Sequence, residues 1–362
     1  MRGSMAEIKQ KLGVVTPVSA PHKSGMARVA ETEGEMARTE WLVEIFSPTT
    51  LGAWFKFGNG AWCPALLWNL RKCEAVHLHY PFFGGAGFVW VWSVLYGRPY
   101  AVTFHMRAKA GGWRGAIFLL QQLVMEPLIL KRATVILVAS IDYARSVGVK
   151  GDKVRALPFG VDLERFSPSD KLQARSEVGI AANEKVVLFV GGLDRAHAFK
   201  GIENLLRAVR GVPDCKLVVV GDGDFKERYQ QLAREIGISD KVIWAGAVSD
   251  QELPAYYRSA NLHCLPSVAQ NEAYGLVTLE AAASGVASLV SNLPGMRELV
   301  VAGETGWLVE PTDVKALTAL IAVAFEDPIR LAEMGKAARR WSTKFSLIIE
   351  QERLLAALNL LR

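Results

Sequence analysis

Cysteine is scarce in this 362-residue chain, with only Cys63, Cys73, Cys215 and Cys264. No two of them form a Cys-x-x-Cys pair, and no histidine stands at zinc-ligand spacing from them. A disulfide scaffold and a structural zinc site are thereby excluded, and reduced thiols in a cytoplasmic protein are expected. Long apolar runs are also missing. The nearest, Ala116 to Leu130, is interrupted by Gln121, Gln122, Glu126 and Pro127. It therefore reads as a core or interfacial helix, not a membrane span. The N-terminus has no apolar signal core. Met-Arg-Gly-Ser at 1–4, ahead of Met5, reads as an added leader before a second start. Short-period repeats, low-complexity tracts and nucleic-acid-binding motifs are absent, so no nucleic-acid partner is expected.

What is present is apolar substance, 51% of the residues, enough for two domains with their own cores. The net charge of +6 is unevenly placed. Residues 1–165 hold 20 Lys and Arg against 12 Asp and Glu, while residues 166–362 hold 22 against 24. The excess concentrates between Arg98 and Arg155, where 10 basic residues face 3 acidic ones. Most such residues simply solvate a surface. Here they flank apolar and aromatic segments, including Trp113. Reversible contact with an anionic membrane, on its inner face, or with a phosphorylated acceptor is the functional reading.

Buried-strand patterns recur along the chain at 12–18, 41–46, 76–78, 100–104, 135–138 and 154–157. Helical stretches alternate with them, one spanning Met26 to Arg38. A loop-like linker follows at Pro158 to Pro168. A second series of strands lies at 186–190, 216–220, 242–244, 262–265, 287–290 and 306–308. Alternation of this kind predicts an α/β chain of two doubly wound, Rossmann-like parallel-sheet domains facing a cleft. The expected division is 1–166 and 167–345, with the last helix, 346–362, crossing back onto the first domain.

The segment Asn271 to Gly285 carries the most chemistry. A strand runs into a polar loop, and Gly275 opens a helix reading Leu-Val-Thr-Leu-Glu-Ala-Ala-Ala. The first amides of a helix lack internal partners and carry the positive end of its dipole. The amides of Gly275, Leu276 and Val277 are thus a ready phosphate site. Glu272 stands just before it and Glu280 one turn behind. Two glutamates at this spacing are commonly a loop residue and an exposed helix residue; the surrounding pattern favours function. Val187 to Arg195 is a strand running into Gly191 and Gly192, and Arg195 and Lys200 stand at its exit. Two cations there suit a leaving diphosphate. His105 ends a strand, whereas His77 and His79 read as structural or surface residues. Gly221-Asp-Gly-Asp224 could be taken for a metal-binding Asp-x-Asp motif. It follows a strand and opens a helix, so it reads as a helix N-cap, and no metal is expected.

Asn271 to Gly285 resembles the retaining glycosyltransferases of family 4, which have the GT-B fold. Further matches are Pro294-Gly295-x-x-Glu298, Gly303-x-x-Gly306, His79-Tyr-Pro-Phe-Phe-Gly-Gly and Asp194-Arg-Ala-His-Ala-Phe-Lys. The resemblance implies that Glu272 contacts the transferred sugar and Glu280 the ribose of the nucleotide. It assigns Arg195 and Lys200 to the diphosphate, His105 to the donor sugar, and Gly25 to a turn near diphosphate and acceptor. Only one glycine is present in that turn, and the following helix is unusually polar. A retaining hexosyltransferase without cofactor is expected. It would use a nucleotide-diphosphate sugar and a sugar, lipid-linked or small-molecule acceptor, in cell-surface glycan or glycolipid synthesis. A sugar-nucleotide epimerase or phosphorylase on the same fold, or a non-catalytic sugar-nucleotide-binding subunit, stays open.

Overall fold

The structure is a computed structural model and describes residues 9–18, 25–52, 55–57, 60–107, 112–269 and 274–362. The chain forms two compact units, Met1–Phe159 with Ile348–Arg362, and Gly160–Leu347.

The first unit contains β1 (Lys11–Val15), β2 (Leu42–Phe46), β3 (Phe55–Phe57), β4 (Gly60–Trp62), β5 (Ala75–Tyr80), β6 (Tyr100–Phe104), β7 (Val135–Val138) and β8 (Val154–Ala156). Six of these make a parallel sheet in the order β2-β1-β5-β6-β7-β8. The chain reverses its direction of growth between β1 and β5. β5, β6 and β7 are buried along their whole length, as expected for strands covered on both faces. The C-terminal segment belongs here: Gln351 donates to the Met36 carbonyl, and the Arg362 guanidinium lies over the Trp41 ring.

The second unit contains β9 (Lys185–Val190), β10 (Cys215–Val220), β11 (Val242–Gly246), β12 (Leu262–Leu265), β13 (Ala287–Ser291) and β14 (Gly306–Val309). They form one parallel sheet in the order β11-β10-β9-β12-β13-β14. This is a doubly wound order whose reversal lies between β9 and β12, the position where such sheets take ligands. The apolar run Val186 to Phe189 is fully buried. Each such side chain contributes about 1.5–3 kcal/mol of transfer free energy. The helix Ile202–Arg210 turns Ile202, Leu205, Leu206, Ala208 and Val209 into the same core. Residues 160–167 are fastened to this unit by two arginines. Arg339 donates to the carbonyls of Leu163, Phe166 and Ala283, and Arg258 to those of Arg165 and Ser167.

All twelve strands predicted from the sequence are present. The antiparallel pair β3–β4 was not legible, because three-residue strands are too short to show alternation. The four cysteines are free and buried. Burial pushes the Cys73 thiol up to about 11 and Cys215 up to about 12, so both stay protonated.

Candidate functional site

Three loops interlock at the carboxyl ends of β9, β10 and β12. After β9, Asp194 caps a 3-10 turn, Arg195–Lys200, by accepting the amides of Ala196 and His197. Its other oxygen meets His197 Nδ1 at 2.7 Å. The Lys200 stem folds back over Gly191, where an added Cβ would lie 2.7 Å from Lys200 Cδ. An added Cβ at Gly192 would lie 2.8 Å from the His197 ring. After β10, Gly221 (φ +141°) presses against the Gly191 carbonyl, where a Cβ would sit 1.9 Å away. Leu193 donates to Asp222 O, Phe225 to Leu193 O, and the Arg195 amide to Asp224 Oδ1 at 3.2 Å. Beyond β12, Val268 donates to Phe199 O at 2.7 Å, and Gly201 (φ +76°) abuts the Pro266 carbonyl. The Lys200 turn is thus bonded to the loop that leads to Gly275.

Gly275 is the N-cap of the helix Leu276–Ala283, with φ +92°, a conformation that favours glycine. Its carbonyl accepts the Thr278 amide at 2.8 Å. Glu280 is buried in the second turn of this helix, only 7% exposed. Tyr257, fully buried on the helix Leu253–Ser259, donates its hydroxyl to Glu280 Oε2 at 2.7 Å. The Lys200 charge also reaches His263 on β12, whose pKa falls to about 3, mainly through burial and then through that charge. His263 is therefore neutral, with Nδ1 3.1 Å from Ser288 Oγ.

In the first unit His105 follows β6 and is 8% exposed. Its amide donates to Tyr80 O, and its Nε2 lies 2.9 Å from His79 Nδ1. The two rings stack at 5.2 Å, and Phe159 closes the other side at 5.5 Å. Burial lowers the His105 pKa to about 3, with a smaller push from His77. The ring is therefore neutral at ordinary pH.

These folds and loops can be set beside known proteins. The family description "Glycosyltransferase Family 4" matches residues 15–165, and "Glycosyl transferases group 1" matches residues 170–341. The chain belongs to the group 1, family 4 glycosyltransferases. Its two Rossmann-like units are the GT-B fold. A D-inositol 3-phosphate glycosyltransferase of Corynebacterium diphtheriae is 29% identical over 375 residues, covering 98% of this chain and 81% of that protein. A GDP-mannose-dependent mannosyltransferase of Mycolicibacterium smegmatis, acting on phosphatidylinositol monomannoside, is 34% identical over 195 residues. That match covers 51% of this chain and half of the relative. Among solved structures, sucrose-phosphate synthase from Thermosynechococcus elongatus superposes with a TM-score of 0.77 at 24% identity, covering 97% of this chain and 98% of that one. HepE of Anabaena with UDP and glucose gives 0.79 at 18% identity, covering 97% and 99%.

Of the residues singled out in this glycosyltransferase, the second unit holds Gly192, Arg195, Lys200, Gly275, Leu276, Val277 and Glu280 around one strand reversal. Glu272 lies outside the described residues. Gly25 begins the helix Gly25–Ala37, and an added Cβ there would meet nothing within 4 Å. The N-cap reading of Asp222 and Asp224 is corrected. The following helix, Lys226–Glu235, is led by Phe225 and has no side-chain cap. Asp224 instead holds the Arg195 amide. Asp222 accepts the Gly223 amide and faces Lys226 Nζ at 3.4 Å. A surface role for His77 and His79 is likewise excluded, since both are fully buried. Nothing in the sequence marks Tyr257 or Glu33. An aromatic at helical spacing looks like core, and Glu33 looked like one more charge on a polar helix.

Proposed function

We propose that this glycosyltransferase is a retaining hexosyltransferase, drawing on a nucleotide-diphosphate sugar to glycosylate a hydroxyl in cell-surface glycan or glycolipid synthesis. One observation carries the reading. The helix after β12 begins beside the strand reversal with Glu280 buried behind its first turn, and the Lys200 turn is bonded to the loop preceding it. In this reading the diphosphate rests on the amides of Gly275, Leu276 and Val277, and Gly192 allows close backbone approach. Glu280 takes the ribose, Glu272 the transferred sugar, and Arg195 and Lys200 the charge of the leaving diphosphate. The acceptor hydroxyl attacks from the face that the nucleotide leaves, and a donor phosphate oxygen takes its proton. His105, neutral, contacts the donor sugar, and Gly25 borders the diphosphate and acceptor. The relative that uses GDP-mannose and the neighbour solved with UDP and glucose support a nucleotide-sugar donor and a hexose.

In this reading Arg195, Lys200 and the helix amides carry the charge of the diphosphate, so the transfer needs no metal, and Asp222 and Asp224 serve Lys226 and backbone amides. Incubation with UDP-, GDP- and ADP-hexoses in EDTA is therefore expected to give transfer or slow donor hydrolysis, with the anomeric configuration of the donor kept. Loss of activity in EDTA with rescue by Mg²⁺ or Mn²⁺ would refute metal independence. An inverted product would refute retention. Binding without any turnover would favour the non-catalytic subunit.

We further propose that the first unit rests on anionic lipid. Among the described residues, no helix is long and apolar enough to cross a membrane. Yet the helix Gly112–Arg132 exposes Leu119, Leu120, Leu123, Val124 and Leu128. The helix Ala86–Tyr96, which packs against it, exposes Val94, Leu95 and Tyr96. Trp68 is 66% exposed, with the Arg71 guanidinium 3.7 Å over its ring. The side chain of Trp113 lies outside the described residues. The last turn of the helix Gly112–Arg132 carries the exposed Lys131 and Arg132, and an apolar helix face with cations beside it gains both burial and attraction at an anionic surface. Co-sedimentation is expected with phosphatidylglycerol vesicles, weakening as salt rises, and not with phosphatidylcholine alone. Leu123→Glu should abolish it. Equal recovery in the supernatant from both vesicle types would remove this contact from the proposal.

A further inference from the structure

Three carboxylates stand on the loops that a bound diphosphate would meet, Asp194 after β9 and Asp222 and Asp224 after β10. Unopposed, they would repel an anion. Asp222 faces Lys226, and Asp224 holds the Arg195 amide. Asp194 is countered by an imidazole. His197 stands between Arg195 and Lys200 on the 3-10 turn, with Nδ1 2.7 Å from Asp194 Oδ2. The pair covers one side of Gly192, where an added Cβ would come 2.8 Å from His197 Nδ1 and 3.1 Å from Asp194 Oδ2. The His197 side chain is 44% exposed, and among the described residues its Nε2 has no hydrogen-bond partner.

We propose that His197 is a further donor-binding residue, its Nδ1–H held by Asp194 and its Nε2 turned to a phosphate oxygen of the nucleotide sugar. Asp194 fixes the place of the proton. Burial by itself would raise the Asp194 pKa, but the bond and charge of His197, with the amides of His197 and Ala196, outweigh it and the net shift is downward. The carboxylate is therefore ionised and accepts only, so the proton between the two groups sits on Nδ1. Nε2 is the nitrogen left for a ligand. Bare, it would aim a lone pair at the phosphate; protonated, it is a charge-assisted donor. An anion bound there draws a proton from solvent onto Nε2, and Asp194 steadies the imidazolium that results. A lysine at this place would carry its charge throughout the ordinary pH range, whereas a histidine makes donor binding depend on pH. The proposal rests on the reading that the diphosphate lies beside Gly192, Arg195 and Lys200.

The charged groups around the turn are Arg195 and Lys200 on the turn itself, Asp222, Asp224 and Lys226 beyond β10, and the Glu203–Arg228 pair on the helices that follow. Imidazole is the side chain whose charge ordinarily changes between about pH 5 and 8. The other imidazoles of the site do not compete. Burial, and then smaller charge effects, bring both His105 and His263 down to about 3. A proton exchanged near neutrality on donor binding therefore reports on His197.

Calorimetric titration of the wild-type protein with UDP-glucose and with GDP-mannose, in buffers of different ionisation enthalpy near neutral pH, decides the matter without any variant. Intact nucleotide sugars are used because the terminal phosphate of a free nucleoside diphosphate itself titrates near neutrality. The expected result is net proton uptake on binding. Affinity should be highest where the imidazole is protonated and should fall about fivefold to tenfold from about pH 6 to about pH 8, the scale of one charge-assisted bond at an exposed site. Binding without proton uptake would overturn the proposal. Failure of both donors to bind would refute the nucleotide-sugar reading itself, and the proposal with it. His197→Asn keeps an N–H for Asp194 Oδ2 and removes Nε2. This variant should melt near wild type, bind donor about fivefold to tenfold more weakly at about pH 6, and take up no proton. Proton uptake that persists in it, or affinity equal to wild type across the pH range, would also overturn the assignment.

Discussion

Lys200→Ala is expected to lower kcat/KM by about 2–4 kcal/mol of transition-state stabilisation, the scale for removing one fixed donor to developing charge. The reason lies in how the ammonium is held. Its stem lies on Gly191, and its turn is tied to the next loop by the bond from Val268 to Phe199. A cation fixed in this way needs no reorganisation as charge builds on the departing diphosphate, whereas a free lysine would. Arg195→Ala should cost a similar amount, although Arg195 is exposed and its anchor is its backbone, through Asp224. Neither change empties a core position, so melting temperatures should stay close to wild type. Steady-state kinetics with a saturating acceptor make the comparison. If both variants lose less than about fivefold, roughly 1 kcal/mol, the two cations do not stabilise the leaving group.

Glu280 should separate binding from folding. Glu280→Ala removes the acceptor of the buried Tyr257 hydroxyl, leaving that donor without its partner at a cost of about 1–3 kcal/mol. It should therefore lower the melting temperature as well as nucleotide affinity. Glu280→Gln keeps an oxygen for Tyr257 and so should melt near wild type. If Glu280 holds the ribose as proposed, this variant loses a charge-assisted bond to a hydroxyl, about 1.5–3 kcal/mol, which is roughly tenfold to a hundredfold in Kd. Calorimetric titration with UDP, GDP and ADP reads the second effect, and thermal denaturation reads the first. A Glu280→Gln variant that binds nucleoside diphosphate as tightly as wild type would remove Glu280 from the ribose.

The sheets were legible because parallel strands buried on both faces write themselves as short apolar runs. Val186 to Val190 and Ala287 to Val290 could hardly be read otherwise. The glycines at 191, 221 and 275 marked where strands end, and with them the side of the sheet where chemistry would sit. Partnership was not legible. Nothing in the spacing of Asp224 says that it serves the Arg195 amide, since the two are joined only by the packing of loops after β9 and β10. Glu33 misled for a related reason. A charge on a helix reads as solvated until its neighbours are known, and His77 and His79 reach it only through the β1–β5 crossover that places their strand beneath that helix. Tyr257 was hidden in the opposite sense, as an aromatic that looked like filling and proved to hold a carboxylate.

The contact of Gly221 with the Gly191 carbonyl, and that of Gly201 with Pro266, also bear on how such enzymes can be re-engineered. Loop exchange between relatives is a common route to a new donor preference. Here the loop after β9 has backbone neighbours on both sides that leave no room for a Cβ. A graft of that loop alone would import a turn shaped for another pair of neighbours. The loops after β9, β10 and β12 are one cassette, and recombination that respects it should cut within the strands and move all three together.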